Sequence, residues 1–283
     1  REQLCRRKHG GNAALHRGVQ VARLLRGADH QHAAGAHRLQ QLEARHQPDV
    51  TFWSFRGPTL RDSVSVADWH RTFLRDYADC SYTEIEPIEQ GNEVAVRATL
   101  TAKGYDWRPF TQRVLEVFDM ENEGILGRRL YGMLRDIELD KPTNAALENA
   151  LGARGGSAAA TKKAVDSLYD NLLAGNVDAA LELFDPKAAL IDSVYGIVNG
   201  PQNILDLLRG VPAPAFGIWR RTNTVAGATS ATVELAIDPQ RPRAAHWLRM
   251  TDGKIKVIEV YWMLREIGLK PEENYARDRH QRQ

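Results

Sequence analysis

Two polar side chains on otherwise apolar predicted strands could carry acid–base chemistry. Asp192 directly follows the apolar run Ala188-Ala-Leu-Ile191. A carboxylate at the end of a buried strand is partly desolvated, and desolvation moves carboxyl pKa values toward those useful to a general base. His246 lies in the segment Ala244-Ala-His-Trp-Leu-Arg-Met250 and could donate a hydrogen bond to a substrate oxygen or exchange a proton near pH 7. Together they predict general acid–base catalysis.

Each of these residues also has a structural interpretation. Asp192 could be a strand-end turn residue that accepts hydrogen bonds from the backbone N–H groups of residues 193–195. His246 alternates with Trp247, so only one of the two can face a cavity, and the pattern leaves open which one. Tyr169, on the apolar face of a predicted helix, could donate to an oxyanion or pack in the core. The aromatic residues that could form the walls of a site for a large planar ligand, or simply fill a core, are Tyr195, Trp219, Trp247, Tyr261 and Trp262.

The elements that must position these side chains occur twice. Tyr131-Gly-Met-Leu-Arg-Asp-Ile-Glu-Leu139 recurs 130 residues later as Tyr261-Trp-Met-Leu-Arg-Glu-Ile-Gly-Leu269, and a proline follows each copy. Similarity at a fixed spacing indicates a repeated structural unit. We therefore expect two domains: 38–142 and 161–272. They would be joined by a Gly/Ala-rich linker at 143–160, with a basic arm at 1–37 that holds at most a weak first helix and a polar tail at 273–283.

Apolar periodicity predicts an α+β fold in both halves. In the second half a helix covers 161–174 and ends at Gly175, a short helix lies near 179–184, and a third follows Asn199-Gly-Pro; strands are expected at 187–193, 216–226, 230–238, 243–251 and 254–265. In the first half strands are expected at 50–55, 81–88, 93–102, 111–120 and 125–134, with a helix at 66–77 that buries Trp69, Phe73 and Tyr77.

This order of elements resembles the nuclear transport factor 2-like superfamily, and in particular its SnoaL-like polyketide cyclase and ketosteroid isomerase branches. The segments that carry the resemblance are Leu172-Leu-Ala-Gly-Asn-Val-Asp-Ala-Ala-Leu-Glu-Leu-Phe184, Ile191-Asp192, Asn199-Gly-Pro and Asp252-Gly-Lys-Ile255. The resemblance implies two tandem cone-shaped domains, each a curved antiparallel sheet packed against about three helices around an apolar cavity. Fold alone does not select a reaction.

The resemblance also implies roles for particular residues. Asp192 falls where isomerase-like members carry a proton-transferring carboxylate, and His246 lies close to the position of their oxyanion-stabilising acid. The first half has Ser54 and Glu116 at the matching positions, so we expect it to be inactive; Asp49, Asp62, Glu84 and Glu86 are its other acidic candidates. The implied function is a cofactor-independent cyclase or isomerase of a polyketide-like or other carbonyl-bearing metabolite.

Two other functions stay open. A non-catalytic ligand-binding or assembly module could use the same fold, with the halves forming an intramolecular pseudo-dimer or a homo-oligomer through their sheet faces. An epoxide hydrolase that forms cyclic ethers is less favoured, because Leu130 and Val260 stand where the last Asp of an Asp-Arg-Asp triad would be. The corresponding region after Asp192, residues 217–222, offers no glutamate partner.

Composition limits the kinds of binding partner and cofactor that we expect. Residues 1–46 are basic, with nine Lys/Arg and three Asp/Glu. The formal net charge of the whole chain is only +2, however, so we expect neither a nucleic-acid nor a membrane partner. His30, His32, His37 and His46 lack ordered metal-ligand spacing, and no phosphate-binding loop or dinucleotide fingerprint occurs, so we expect no cofactor and no metal. Two cysteines, Cys5 and Cys80, and the absence of an apolar leader favour a cytoplasmic protein.

Overall fold

A computed structural model describes residues 41–103, 109–133, 156–193, 195–210, 220–236 and 242–267. These residues belong to two compact units, unit 1 within Arg1–Asp136 and unit 2 within Ile137–Ile267. The expected basic arm at 1–37, the tail at 273–283, most of the expected linker and Trp219 lie outside the described residues. The expected domain boundaries therefore stay predictions.

Unit 1 is a five-stranded sheet with one described α-helix. Its elements are β1 (His46–Ser54), α1 (Ser63–Asp76), β2 (Ala78–Gln90), β3 (Glu93–Lys103), β4 (Pro109–Glu121) and β5 (Gly124–Gly132). The strand order is β2-β3-β4-β5-β1, in which β1 pairs with β5 in parallel and the other pairs are antiparallel.

Helix α1 begins where its sequence provides a cap. The Asp62 side chain accepts a hydrogen bond from the backbone N–H of Ser65 at 2.7 Å, which satisfies one of the free N–H groups of the first turn. The helix packs on β1, where the Trp69 ring meets Phe52 edge to face at 5.1 Å between centroids. Val66 and His70 are the fully buried residues of this face, whereas Trp69, Phe73 and Tyr77, expected to be buried, keep part of their surface exposed.

Unit 2 is a six-stranded sheet with three described α-helices. Its elements are α2 (Ala158–Ala174), α3 (Val177–Leu181), β6 (Phe184–Asp192), β7 (Gly196–Asn199), α4 (Pro201–Gly210), β8 (Arg220–Ala226), β9 (Ser230–Ala236), β10 (Pro242–Thr251), β11 (Lys254–Trp262) and a 3-10 turn (Leu264–Ile267). The strand order is β8-β9-β10-β11-β6-β7, and only the β6–β11 pair is parallel.

Helix α2 is the element that covers the candidate site. It starts three residues before the expected position, because the Ser157 side chain accepts from the N–H of Ala160. It ends as predicted at Gly175, whose φ of 75° lies in the left-handed region that favours glycine. Its buried residues include Val165, Leu168 and Tyr169, and it packs against β8 and β9.

The expected α+β class is confirmed, with three differences in detail. Each sheet contains one parallel pair, because the first strand of each unit lies beside the last. Strand β7 was not expected, since its four residues are too few to show an alternating pattern. Unit 1 shows one complete α-helix in its described part rather than about three.

No helix in the described ranges has both the length and the apolar character that a membrane crossing requires.

Candidate active site in unit 2

Asp192 and His246 lie in one row across three neighbouring strands. Asp192 on β6 is aligned with Val260 on β11, and Val260 is aligned with His246 on β10. Aligned residues on neighbouring strands point to the same face of a sheet. The two side chains therefore share a face, with about 10 Å between their Cα positions, the span of two strand spacings.

At the His246 end of the row, α2 lies over this face. The hydroxyl of Tyr169 lies 2.5 Å from Nδ1 of His246, and both side chains are buried. His246 thus points toward the helix, and by alternation Trp247 points to the opposite face.

Burial sets the charge of this pair. It lowers the pKa of His246 to about 4, and it raises the pKa of the Tyr169 hydroxyl above its usual value. Near pH 7 the imidazole is therefore neutral and the phenol keeps its proton. A neutral imidazole can still donate a hydrogen bond from one ring nitrogen.

Asp192 is buried beside an indole. Its Oδ1 atom accepts hydrogen bonds from Nε1–H of Trp262 at 3.1 Å and from the backbone N–H of Tyr195 at 3.3 Å, and only 4% of the residue is exposed. The Tyr195 contact is the strand-end turn interaction that the sequence offered as a structural explanation. The Trp262 contact adds a second, long-range partner that sequence reasoning had not connected to Asp192. Trp262 is two residues after Val260 on β11 and so shares its face, but only the pairing of β6 with β11 brings that face beside Asp192.

Aromatic rings lie at the Asp192 end of the row. The ring centroid of Tyr195 is 6.4 Å from that of Trp262, and 44% of Tyr195 is exposed. An exposed aromatic ring beside a buried carboxylate could contact an apolar or planar ligand. Tyr195 and Tyr169 are thus the two residues of the expected substrate-binding set that lie close to Asp192 or His246.

Two other residues of that set lie elsewhere. Trp247 and Tyr261 point to the opposite face of the unit 2 sheet, where the Tyr261 hydroxyl donates to Oε2 of Glu259 at 2.5 Å. Strand alternation directs them away from the face that holds His246, and their role in ligand binding stays a prediction. Trp219 lies outside the described residues.

The matching row of unit 1 contains Ser54, Leu130 and Glu116. Oγ of Ser54 accepts from the backbone N–H of Arg56 at 3.1 Å. Glu116 is 1% exposed and accepts from Nε of Arg128 at 2.9 Å, with the Arg128 guanidinium equally buried. The negative charge of Glu116 is therefore neutralised by the Arg128 guanidinium.

Further polar contacts connect the Glu116–Arg128 pair to His70 on α1. Nη1 of Arg128 lies 2.8 Å from Nε2 of His70, and Nδ1 of His70 lies 3.1 Å from Oε1 of Glu43. Burial is the main reason that the pKa of His70 is well below its usual value, so Nε2 of the neutral ring accepts from Arg128 and Nδ1–H donates to Glu43. The Phe52 ring also contacts the Arg128 guanidinium, at 4.8 Å from its centroid.

Sequence reasoning missed this buried network. Its signal was the position of Glu116 inside the apolar run Val114-Leu-Glu-Val-Phe118, where an isolated carboxylate requires a cation. The acidic candidates considered for unit 1 have other places: Asp49 is exposed, Asp62 caps α1, and Glu84 and Glu86 lie beside Arg97. Within the described ranges no three His, Cys, Asp or Glu side chains are grouped as metal ligands.

Comparison with known proteins finds a family similarity in the first half of the chain. Residues 28–127 match the family model of the SnoaL-like domain. This part of the chain is therefore similar to SnoaL-like domains. No match was found among curated protein sequences.

Solved structures of similar fold come from several bacteria. A protein from Kribbella flavida, proposed to be a ketosteroid isomerase, is 17% identical, with 38% of this chain and 80% of that one covered and a TM-score of 0.32. A protein from Silicibacter sp. TM1040, proposed to be a polyketide cyclase, is 13% identical, with 42% and 90% covered and a TM-score of 0.36. A protein of unknown function from Burkholderia pseudomallei, described as NTF2-like, is 20% identical, with 41% and 90% covered and a TM-score of 0.35.

Proposed function

We propose that unit 2 is a cofactor-independent acid–base catalyst that isomerises or cyclises a small carbonyl-bearing metabolite. The observation that carries the proposal is the row in which Asp192 and His246 share one face of the unit 2 sheet, with Tyr169 of α2 in contact with His246. A carboxylate that can accept a proton and an imidazole that can donate a hydrogen bond then lie on the same side of one sheet. Such a pair is suited to proton abstraction next to a carbonyl group.

In this mechanism Asp192 is the base. Its carboxylate takes a proton from the carbon next to the carbonyl, and the electron pair of the broken C–H bond forms an enolate. The N–H of His246 donates a hydrogen bond to the enolate oxygen, where the negative charge develops. For isomerisation the proton returns to another carbon; for cyclisation the enolate carbon attacks a second carbonyl of the same molecule, whose oxygen is then protonated.

The charge state of His246 supports the role of hydrogen-bond donor. Because burial lowers its pKa to about 4, the ring is neutral near pH 7 and has no surplus proton to transfer. A neutral donor stabilises developing negative charge without itself changing protonation state. Of the two roles expected for His246, acid or oxyanion donor, the second is therefore favoured.

The residues around Asp192 favour an apolar or aromatic substrate. The indole of Trp262 lies against the carboxylate, and the partly exposed ring of Tyr195 lies next to that indole. Polyketide-like compounds offer both a planar apolar body and carbonyl groups with acidic neighbouring C–H bonds.

The proposal is tested by Asp192→Asn, which keeps the shape of the side chain and its ability to accept hydrogen bonds but removes the base. We expect turnover to fall by about two orders of magnitude or more. The assay is exchange of the C–H next to a carbonyl with deuterium, followed by NMR over a panel of polyketide-like ketones in deuterium oxide. Asp185→Asn is the matched control, because it makes the same change on the same strand at a carboxylate that pairs with Lys256.

The outcomes separate catalysis from binding. Full exchange activity in Asp192→Asn would remove the general base from the proposal. Saturable binding of a ketone by the unmodified protein, with no exchange and no product, would instead identify a non-catalytic binding module. The observation that favours this second candidate is the hydrogen bond from the Tyr195 N–H to Asp192, because it gives the carboxylate a structural role.

A further inference from the structure

We propose that Tyr169 is a positioning residue that holds His246 in the tautomer with its proton on Nε2, so that the site binds ligands through an acceptor oxygen. This inference rests on the proposed function for its catalytic meaning. Its structural content, the tautomer of one histidine, can be measured without any substrate.

The direction of the hydrogen bond follows from the partners available. Within the described residues, the Tyr169 hydroxyl has one hydrogen-bond partner, Nδ1 of His246 at 2.5 Å. If Nδ1 carried the proton and donated it to Tyr169, the buried O–H of Tyr169 would lack an acceptor. A buried donor without a partner is destabilising, because it loses its hydrogen bond to water and gains none in the protein. The O–H of Tyr169 therefore donates to an unprotonated Nδ1.

The remaining proton of His246 is then fixed. A neutral imidazole carries one N–H, and with Nδ1 acting as an acceptor that N–H must be Nε2–H. The charged ring, which carries both protons, is disfavoured by the same burial that lowers the pKa of His246. His246 thus offers a donor rather than an acceptor.

Helix α2 is held in the place that this contact requires. Arg221 on β8 donates to Oδ1 of Asp166 at 2.6 Å and to Oδ1 of Asp170 at 2.9 Å, and Thr224 donates to Asp166 at 3.1 Å. Asp166 and Asp170 lie three residues before and one residue after Tyr169 on the helix. These contacts restrain the turn of α2 that carries the phenol above His246.

The tautomer determines the chemical class of the ligand. A ring that presents Nε2–H attracts carbonyl and enolate oxygens, whereas the opposite tautomer would present a lone pair and attract hydroxyl or amine donors. Together with Asp192 in the same row, the site offers one donor and one acceptor, the two kinds of group that act on a carbonyl oxygen and on a neighbouring C–H. Tyr169 is then needed for activity although it contacts His246 rather than the substrate.

The test is nitrogen NMR of the full chain labelled with ¹⁵N-histidine, in which the His246 signals are assigned by their loss in His246→Asn. Near pH 7 we expect a protonated Nε2 and an unprotonated Nδ1 in the unmodified protein. Tyr169→Phe removes the O–H that favours this state, so we expect a mixture of tautomers and a loss of exchange activity of about tenfold or more. Tyr82→Phe is the matched control, because it removes a hydroxyl that contacts Glu116 in unit 1 and should change neither result.

Each outcome decides a separate point. A protonated Nδ1 or a charged ring near pH 7 in the unmodified protein overturns the inference, whether or not Tyr169→Phe folds. An unchanged His246 spectrum in folded Tyr169→Phe overturns it as well. If the tautomer is the expected one while Asp192→Asn keeps full activity, the proposed function fails and the positioning role of Tyr169 on the ring stands.

Discussion

Replacing His246 with asparagine should make unit 2 less sensitive to acid. The side-chain carbonyl of asparagine can still accept a hydrogen bond from Tyr169, but it does not titrate. In the native protein burial lowers the pKa of His246 from 6.5 to about 4. Between these values the unfolded chain binds a proton that the folded chain does not, so the free energy of unfolding falls as the pH falls through this window.

The size of the effect follows from the shift. One pKa unit corresponds to about 1.4 kcal/mol, so a shift of about 2.5 units gives about 3 kcal/mol once both states are fully protonated. Between about pH 7 and about pH 4.5 the loss due to His246 is about 2.5 kcal/mol, since the folded ring is then only partly protonated. This loss is present in the native chain and absent in His246→Asn.

Urea unfolding followed by near-ultraviolet circular dichroism measures this difference. The free energy of unfolding is extrapolated to water at each pH for both proteins. His46 and His70 also have lowered pKa values and contribute acid sensitivity to unit 1 in both, so the difference between the two proteins isolates His246. The reasoning is refuted if both proteins lose the same stability on acidification, or if NMR shows that His246 becomes charged above about pH 6.

Two further predictions concern stability. Glu116→Leu should lower the free energy of unfolding, measured in urea, by about 3–5 kcal/mol, because it leaves the buried Arg128 without its counter-charge. Adding Arg128→Met should recover much of that loss. A double variant whose loss equals the sum of the losses of the two single variants would contradict this. Gly175→Ala should cost about 1 kcal/mol, because it places a Cβ at a φ of 75°, and Gly175→Asn should cost less, so equal thermal midpoints for both variants would contradict the capping role.

Periodicity was sufficient to predict most of the elements. The run of Val165, Leu168 and Tyr169 predicted the buried face of α2, and Gly175 predicted its end, because both signals lie within a few turns of chain. The parallel pairings of β1 with β5 and of β6 with β11 were not predictable in this way. They join segments far apart in sequence, and no local pattern encodes which strands become neighbours.

The same contrast between local patterns and long-range contacts explains why the sequence predicted only part of the candidate site. Asp192 and His246 were identifiable because each is a polar residue on an apolar strand. Their common face depends on the register through Val260, and the partner of His246 depends on how α2 lies across the sheet. Trp247 and Tyr261 could be assigned to the other face only once one residue of their strands had been oriented.

The parallel pairing of β6 with β11 also affects when the site can exist during folding. The Asp192–Trp262 contact closes a loop of 70 residues, and the Tyr169–His246 contact one of 77. Closing loops of this length costs chain entropy that local hairpins such as β10–β11 do not pay. A chain synthesised from its N-terminus carries Asp192 long before Trp262 has been added. The carboxylate therefore lacks its indole partner while the 70 residues after it are added, and it acquires its buried environment only when the last strand of unit 2 is in place.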